Sequence, residues 1–200
     1  MKIVRWHWAL LLICVAVLIW SGIDPRDRMT WVLEVFPAVV GIGILMALYQ
    51  RFRFTSLVYV LVALHAIVLI VGGHYTYAHV PLGEWVADLF EIERNHYDRL
   101  GHFMQGFVPA LIAREVLLRV TPLRRGGWLF GLVVAVALAI SAFYEFIEWW
   151  VALLSEQAAE SFLGTQGAVW DTQWDMFLAF CGAILAQLLL AHWQDKQMLE

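Results

Sequence analysis

The sequence predicts an all-α fold, a polytopic integral membrane helical bundle of about six transmembrane helices. The chain of 200 residues is 62% hydrophobic and only 15% charged, which is more apolar surface than a soluble domain of this size can bury. Several apolar runs also approach the roughly 20 residues that cross a bilayer core. We therefore expect residues 1–200 to form a single membrane domain with the lipid bilayer as its main partner.

The predicted spans cover about residues 6–22, 31–50, 54–73, 98–119, 128–150 and 171–192. Lys2 and Arg5 precede the first span, but no small-residue cleavage site follows it, so we expect an uncleaved helix. Residues 81–91 mix aromatic, apolar and acidic side chains, which is typical of a short interfacial helix or of an ordinary solvated loop. Ser155 to Phe162 are expected to be partly helical, residues 164–167 to be non-helical, and the residues after 192 to form a short polar tail.

The distribution of Lys and Arg predicts the orientation. In a six-span arrangement nine basic residues fall on the side of the N-terminus and four on the other: Lys2, Arg5, Arg51, Arg53, Arg114, Arg119, Arg124, Arg125 and Lys196 against Arg26, Arg28, Arg94 and Arg99. Basic residues concentrate in cytoplasmic loops, so both termini are predicted to be cytoplasmic. No basic tract indicates nucleic-acid binding. Cys14 and Cys181 lie in apolar runs, so we expect buried thiols and no disulfide.

Polar residues mark the outer ends of the last three spans. Three pairs stand at helical spacing, so each pair shares one helix face: Asp98 with His102, Glu145 with Glu148, and Asp171 with Asp175. With this topology all three pairs lie at the same membrane level. The polar connection before the fourth span, and the start of that span, add four residues that we expect to support the site or contact a substrate: His74, Asn95, His96 and Arg99.

So many carboxylates cannot all stay ionised and unpaired in a low-dielectric site. One solution is a divalent metal ion (zinc, iron or manganese), which would also activate a water molecule for hydrolysis. Its candidate ligands are His102, Asp98, Glu145, Glu148, Asp171 and Asp175, and the candidate catalytic residues are Asp98, His102, Glu145 and Glu148. The other solution is a network of salt bridges to Arg94 and Arg99 without a metal, which could also bind a phosphate headgroup.

Three segments carry a resemblance: YDRLGHFMQGFVP, SAFYEFIEWW and GTQGAVWDTQWDMFLAFCGAILA. They resemble the YjdF-like family of uncharacterised bacterial inner-membrane proteins, a domain of unknown function, over nearly the whole chain. The resemblance implies a multi-pass protein of the bacterial inner membrane and no known activity. A more distant similarity is to VanZ-like membrane proteins, whose Asp-Lys-x-x-His element resembles residues 98–102 here with Arg99 in place of Lys. The Asn that follows the family's later Asp is absent, which weakens any transfer of function.

Three functions remain open from the sequence. The first is a membrane enzyme that hydrolyses or transfers a group on a lipid or envelope precursor. The second is a proton-coupled transporter, and the third is a non-catalytic scaffold with an interfacial tryptophan belt. We predict under each that the last three spans are mutual neighbours and that His102 faces inward, within ligand or hydrogen-bond reach of at least one of Glu145, Glu148, Asp171 and Asp175. His65, at mid-span, is predicted to tolerate substitution better than His102.

Overall fold

The computed structural model describes residues 5–154 and 166–199. Within these residues it contains no strand and seven α-helices: α1 Arg5–Ser21, α2 Arg28–Leu48, α3 Ser56–Tyr75, α4 Pro81–Leu89, α5 Tyr97–Val120, α6 Gly127–Leu154 and α7 Asp171–Leu199. One turn of 3-10 helix, Tyr77–His79, joins α3 to α4. The predicted all-α fold is confirmed.

Four helices are long and apolar enough to cross a membrane, namely α2, α3, α6 and α7, and α1 is a shorter apolar helix of 17 residues. These helices indicate an integral membrane protein. The 24 residues of α5 reach about 36 Å at 1.5 Å per residue, but because of its charged side chains α5 is less apolar than these five helices. A count of six spans stays a prediction.

The ends of two helices differ from the sequence prediction. Helix α2 begins three residues early because Asp27 caps it, with the carboxylate Oδ1 accepting a hydrogen bond from the Thr30 N–H at 2.7 Å. That hydrogen bond lowers the pKa of Asp27. The predicted polar tail after residue 192 is wrong, since α7 continues to Leu199. Two hydrogen bonds stabilise this extension. Gln194 donates to a backbone carbonyl of α5 at 2.7 Å, and Gln197 accepts from a backbone N–H of α3 at 2.9 Å.

The connections follow the sequence expectations where they are described. Residues 81–91 do contain a helix, α4, which starts with Pro81 in the position that suits proline best. Gln166 and Gly167 both have positive φ, 47° and 83°, so this part of the last connection is non-helical. The expected helix near Ser155 to Phe162 lies outside the described residues.

Helix α5 is the centre of the bundle and packs against α3, α6 and α7. Its crossing with α7 depends on Gly106 and Gly182, because a Cβ at either position would overlap the carbonyl oxygen of Ala179 or Phe103 on the other helix. Helix α6 also packs against α7, so the predicted mutual contact of the last three spans is confirmed. Helices α1 and α2 pack on the other face of α3, and α2 and α6 form no comparable interface.

A buried polar network joins α3, α5 and α7 at the end of the bundle where α5 finishes. Glu115 is fully buried, and its carboxylate accepts hydrogen bonds from the Thr55 N–H at 3.0 Å and the Thr55 hydroxyl at 2.8 Å. Arg119 donates to the same carboxylate at 2.7 Å and Gln194 donates at 3.3 Å. Nearby, Arg114 donates to Gln194 at 3.0 Å. The sequence analysis assigned no role to these residues.

Candidate functional site

His102 lies at the centre of a buried cluster formed by α5, α6 and α7. Its Nε2 atom is 3.4 Å from Asp98 Oδ1 and 3.9 Å from Asp175 Oδ2. Its Nδ1 atom is 3.7 Å from Glu145 Oε1. His102, Glu145 and Asp175 expose 6% or less of their surface. The predicted inward orientation of His102 is confirmed, with Glu145 as its nearest partner among the four predicted carboxylates.

Gln105 orients the imidazole. Its Oε1 atom lies 3.1 Å from His102 Nδ1, and an amide oxygen only accepts hydrogen bonds. This contact therefore places an N–H on Nδ1, and Nε2 faces Asp98 and Asp175, which can accept a proton from it or share a cation with it. Metal-ligating histidines are held in the same way, with one nitrogen on the metal and the other donating to an acceptor.

Two groups of metal-ligand atoms share His102. Asp98, His102 and Asp175 form one, and His102, Glu145 and Glu148 form the other, with the ligand atoms of each group within 4.8 Å of one another. Imidazole and carboxylate are donors that suit zinc, iron and manganese. The first group can thus hold a divalent ion at Nε2, whereas an ion at Nδ1 would have to replace the contact with Gln105.

Two buried carboxylate oxygens in this cluster, Glu145 Oε1 and Asp175 Oδ1, have no hydrogen-bond partner among the described residues. A buried acceptor without a partner costs about 1–3 kcal/mol, and more if it is charged. Both oxygens belong to residues that are more than nine-tenths buried and lie beside His102. A cation bound on the Nε2 side of the ring would satisfy Asp175 Oδ1.

The side chains of Arg94 and Arg99 lie at the rim of the cluster. Arg94 lies 2.6 Å from Asp171 and 3.6 Å from Asp98, so Asp171 has a cationic partner already and stands outside both ligand groups. The guanidinium of Arg99 lies over the Trp174 ring, 5.4 Å from its centroid. The salt-bridged arrangement expected as an alternative to a metal is therefore present, but only for the outermost carboxylates.

The loop residues predicted to support the site have other roles in the structure. His74 donates a hydrogen bond from Nδ1 to the Ser21 carbonyl at 2.9 Å, and its ring packs on Trp20, so its contacts are with α1. Asn95 is buried and binds the Val80 carbonyl through its side chain, which ties the start of α4 to the start of α5. His96 precedes α5, and burial, together with Arg99 and Arg94, lowers its pKa and keeps the imidazole neutral.

A cavity of about 230 Å³ opens beside the cluster and reveals residues that the sequence analysis did not select. Asp98, His102 and Glu148 form part of its wall, together with four residues not assigned to the site: Glu34, Tyr77, Gln105 and Tyr144. Burial, followed by the neighbouring Glu34 carboxyl, raises the pKa of Tyr77 well above its ordinary value, so the phenol is a permanent donor. The signal for Glu34 was in the sequence, since a carboxyl within a membrane span usually has a function.

Comparison with known proteins identifies the family. The family described as "Predicted membrane protein (DUF2238)" matches residues 6–196. This chain belongs to that family. It is also 50% identical over 182 residues to the inner membrane protein YjdF of Escherichia coli strain K12, covering 91% of this chain and 87% of that protein. No solved structure matches the chain. The expected family and the membrane setting are confirmed, and the distant resemblance to VanZ-like proteins stays a prediction.

Proposed function

We propose that this DUF2238 protein crosses the bacterial inner membrane six times, with both termini in the cytoplasm and the His102 cluster near the periplasmic face. Four long apolar helices and a shorter one support a multi-pass arrangement, and the relative from E. coli is described as an inner membrane protein. The sixth span would be α5, whose polar residues turn towards its neighbours. Reporter fusions after Glu200 test the orientation, and a periplasmic signal there would refute it.

We infer that the cluster binds one divalent cation and that the protein hydrolyses or transfers a group on a lipid or an envelope precursor. The observation that carries this inference is the buried oxygen without a partner among the described residues on the Nε2 side of His102, Asp175 Oδ1. The cation would be held by the Nε2 atom of His102 with Asp98 and Asp175, because Gln105 already engages Nδ1. A cation in this position supplies Lewis acidity and lowers the pKa of bound water.

Glu145 lies on the Nδ1 side of the imidazole, at 3.7 Å, and Glu148 belongs to the same ligand group. Glu145 is thus across the ring from the proposed cation, whereas Glu148 lines the cavity and is the candidate general base for a substrate bound there. The depth of the cluster, next to a cavity with apolar walls, favours a substrate that is itself in the membrane.

Metal content of the purified protein tests the proposal. We expect about one zinc, iron or manganese ion per chain in non-ionic detergent, measured by inductively coupled plasma mass spectrometry, and loss of that ion in His102→Ala and Asp175→Asn. The matched control is Asp171→Asn, which removes a carboxylate one turn away that already pairs with Arg94. A folded wild-type protein without metal, after supplementation with each of the three ions, would refute the proposal.

A proton-coupled transporter is the second candidate, and one observation favours it. His65 lies on the wall of the same cavity, at mid-span, and its buried Nε2 atom has no hydrogen-bond partner among the described residues. Buried histidines and carboxyls in a membrane bundle can relay protons. If the protein is a transporter, His65→Ala should abolish transport as fully as His102→Ala. If it is an enzyme, His65→Ala should have a milder effect on activity than His102→Ala. Normal function in both variants would favour the scaffold.

A further inference from the structure

The cavity beside the cluster has a polar end and an apolar end. Its polar end contains the carboxyl groups of Glu34, Asp98 and Glu148. Its apolar end runs along α2, α3, α5 and α6 and is lined by Ala38, Val62, Ala66, Leu69, Val108 and Ile112. A volume of about 230 Å³ with this polarity matches part of an amphiphile: a small polar group with the first segment of a hydrocarbon chain.

One side of the cavity faces the bilayer. Helices α2 and α6 form two of its walls, and these helices form no extensive interface with each other, since α2 packs on α3 and α6 packs on α5 and α7. Ile140 of α6 lines the cavity, and 42% of its surface is exposed. The space between α2 and α6 is therefore the side on which the cavity can open to the lipid.

The acidic groups at the polar end select the ligand. Among the described residues that line the cavity, three are carboxylic acids and two are histidines, His65 and His102, while none is a lysine or an arginine. Tyr77 and Tyr144 add aromatic rings at the same end, and a cation is attracted to such rings. A protonated amine therefore fits this end, and an anionic headgroup that needs a basic side chain does not.

We propose that a membrane lipid with a protonated amine in its headgroup enters sideways between α2 and α6 and places the amine between Glu34 and Glu148. The chain of the lipid lies along Val62, Ala66 and Ile112. This site names the substrate class of the proposed function. Turnover of the lipid rests on the proposed function, but binding of the lipid does not, and binding can be measured in metal-free protein.

Two glycines on α2 provide a matched pair of variants. A Cβ at Gly41 or at Gly43 meets no atom within 4 Å, so both positions accept a side chain without a clash. Gly41 lines the cavity, and Gly43 is not part of its wall. Gly41→Leu therefore adds bulk inside the cavity, while Gly43→Leu makes the same change in the same helix elsewhere.

The experiment is native mass spectrometry of the full chain in non-ionic detergent, treated with a chelator and titrated with phosphatidylethanolamine or phosphatidylglycerol of the same chains. We expect the amine lipid to bind at least about tenfold more tightly, a difference of about 1.4 kcal/mol. Gly41→Leu should lose this binding, and Gly43→Leu should keep it. Glu34→Gln, which adds no bulk, should remove the preference for the amine.

Equal binding of the two lipids to the wild type would overturn the headgroup assignment. Equal loss of binding in the two glycine variants would overturn the entry between α2 and α6. The metal proposal fails separately, because a protein that binds the amine lipid as described but never contains a metal ion refutes only the metal centre.

Discussion

Replacing Glu115 by alanine should be among the most damaging single substitutions at the end of the bundle opposite the His102 cluster. Glu115 is fully buried in α5 and accepts hydrogen bonds from Thr55, Gln194 and Arg119. After truncation, Gln194 keeps its bond to the Leu111 carbonyl and Arg119 keeps its bond to the Arg53 carbonyl. The Thr55 N–H and hydroxyl are left without these acceptors in a residue that is only 7% exposed.

The expected cost follows from these losses. Each of the two orphaned Thr55 donors costs about 1–3 kcal/mol, whereas the side chain of Arg119 is 38% exposed, so the lost ion pair adds about 1 kcal/mol or less. We therefore expect Glu115→Ala to lower the free energy of unfolding by about 3 kcal/mol. Glu115→Gln keeps the shape and one acceptor, and should fall between alanine and the wild type.

Thermal unfolding in a non-ionic detergent, followed by intrinsic tryptophan fluorescence, measures the effect. For a chain of this length about 1 kcal/mol corresponds to roughly 2–4 °C, so the alanine variant should melt roughly 6–12 °C below the wild type. Arg125→Ala is the control, because Arg125 belongs to the same end of the bundle but its side chain is 53% exposed where it meets Asp195. An exposed pair of this kind contributes about 1 kcal/mol or less. If Arg125→Ala costs as much as Glu115→Ala, the network is not centred on Glu115.

Three further predictions concern the fold. Asp27→Ala should cost about 1 kcal/mol through loss of the α2 cap. Because the hydrogen bond lowers the pKa of Asp27, the stabilisation by the ionised carboxylate is present above the unfolded pKa of about 3.9 and disappears as the pH falls through the folded pKa. The melting temperatures of Asp27→Asn and the wild type should therefore differ only at higher pH. Asn95→Ala should cost about 1–3 kcal/mol by orphaning buried partners of α4 and α5, yet leave metal content unchanged in elemental analysis. Gly106→Ala should cost more than about 3 kcal/mol, beyond ordinary overpacking, because the added Cβ meets α7 backbone, whereas Gly131→Ala, with open space around it, should be neutral or stabilising in the same melting assay.

Features that depend on one helix were predictable from the sequence. Apolar length marked the spans, and spacing placed Asp98 and His102 on one helix face, which is the face that turns inward. The contact of α5 with α6 and α7 was also predictable, because inward-facing acids on three helices need common partners. The start of α2 was misplaced because the capping role of Asp27 was not considered.

Features that depend on how distant helices approach one another were not predictable. Glu34 lies on α2, far from α5 in sequence, and reaches the cavity only because α2 packs on α3. From the sequence, Arg94 could have paired with any nearby acid. In the fold, Asp171 and Asp98 are the acids that lie within ion-pair distance of it. The bond of Gln105 to His102 required the side-chain orientation of both residues, which spacing does not give.

Helix α7 carries a polar contact near each end, Asp175 in the His102 cluster and Gln194 in the Glu115 network. Their separation of 19 positions corresponds to about 28 Å along the helix axis, close to the roughly 30 Å hydrocarbon thickness of a bilayer. Since both ends contact α5, we expect α7 to tilt only together with α5. In a thinner or thicker bilayer we therefore expect the lipids around these two helices to adjust their chains to the protein.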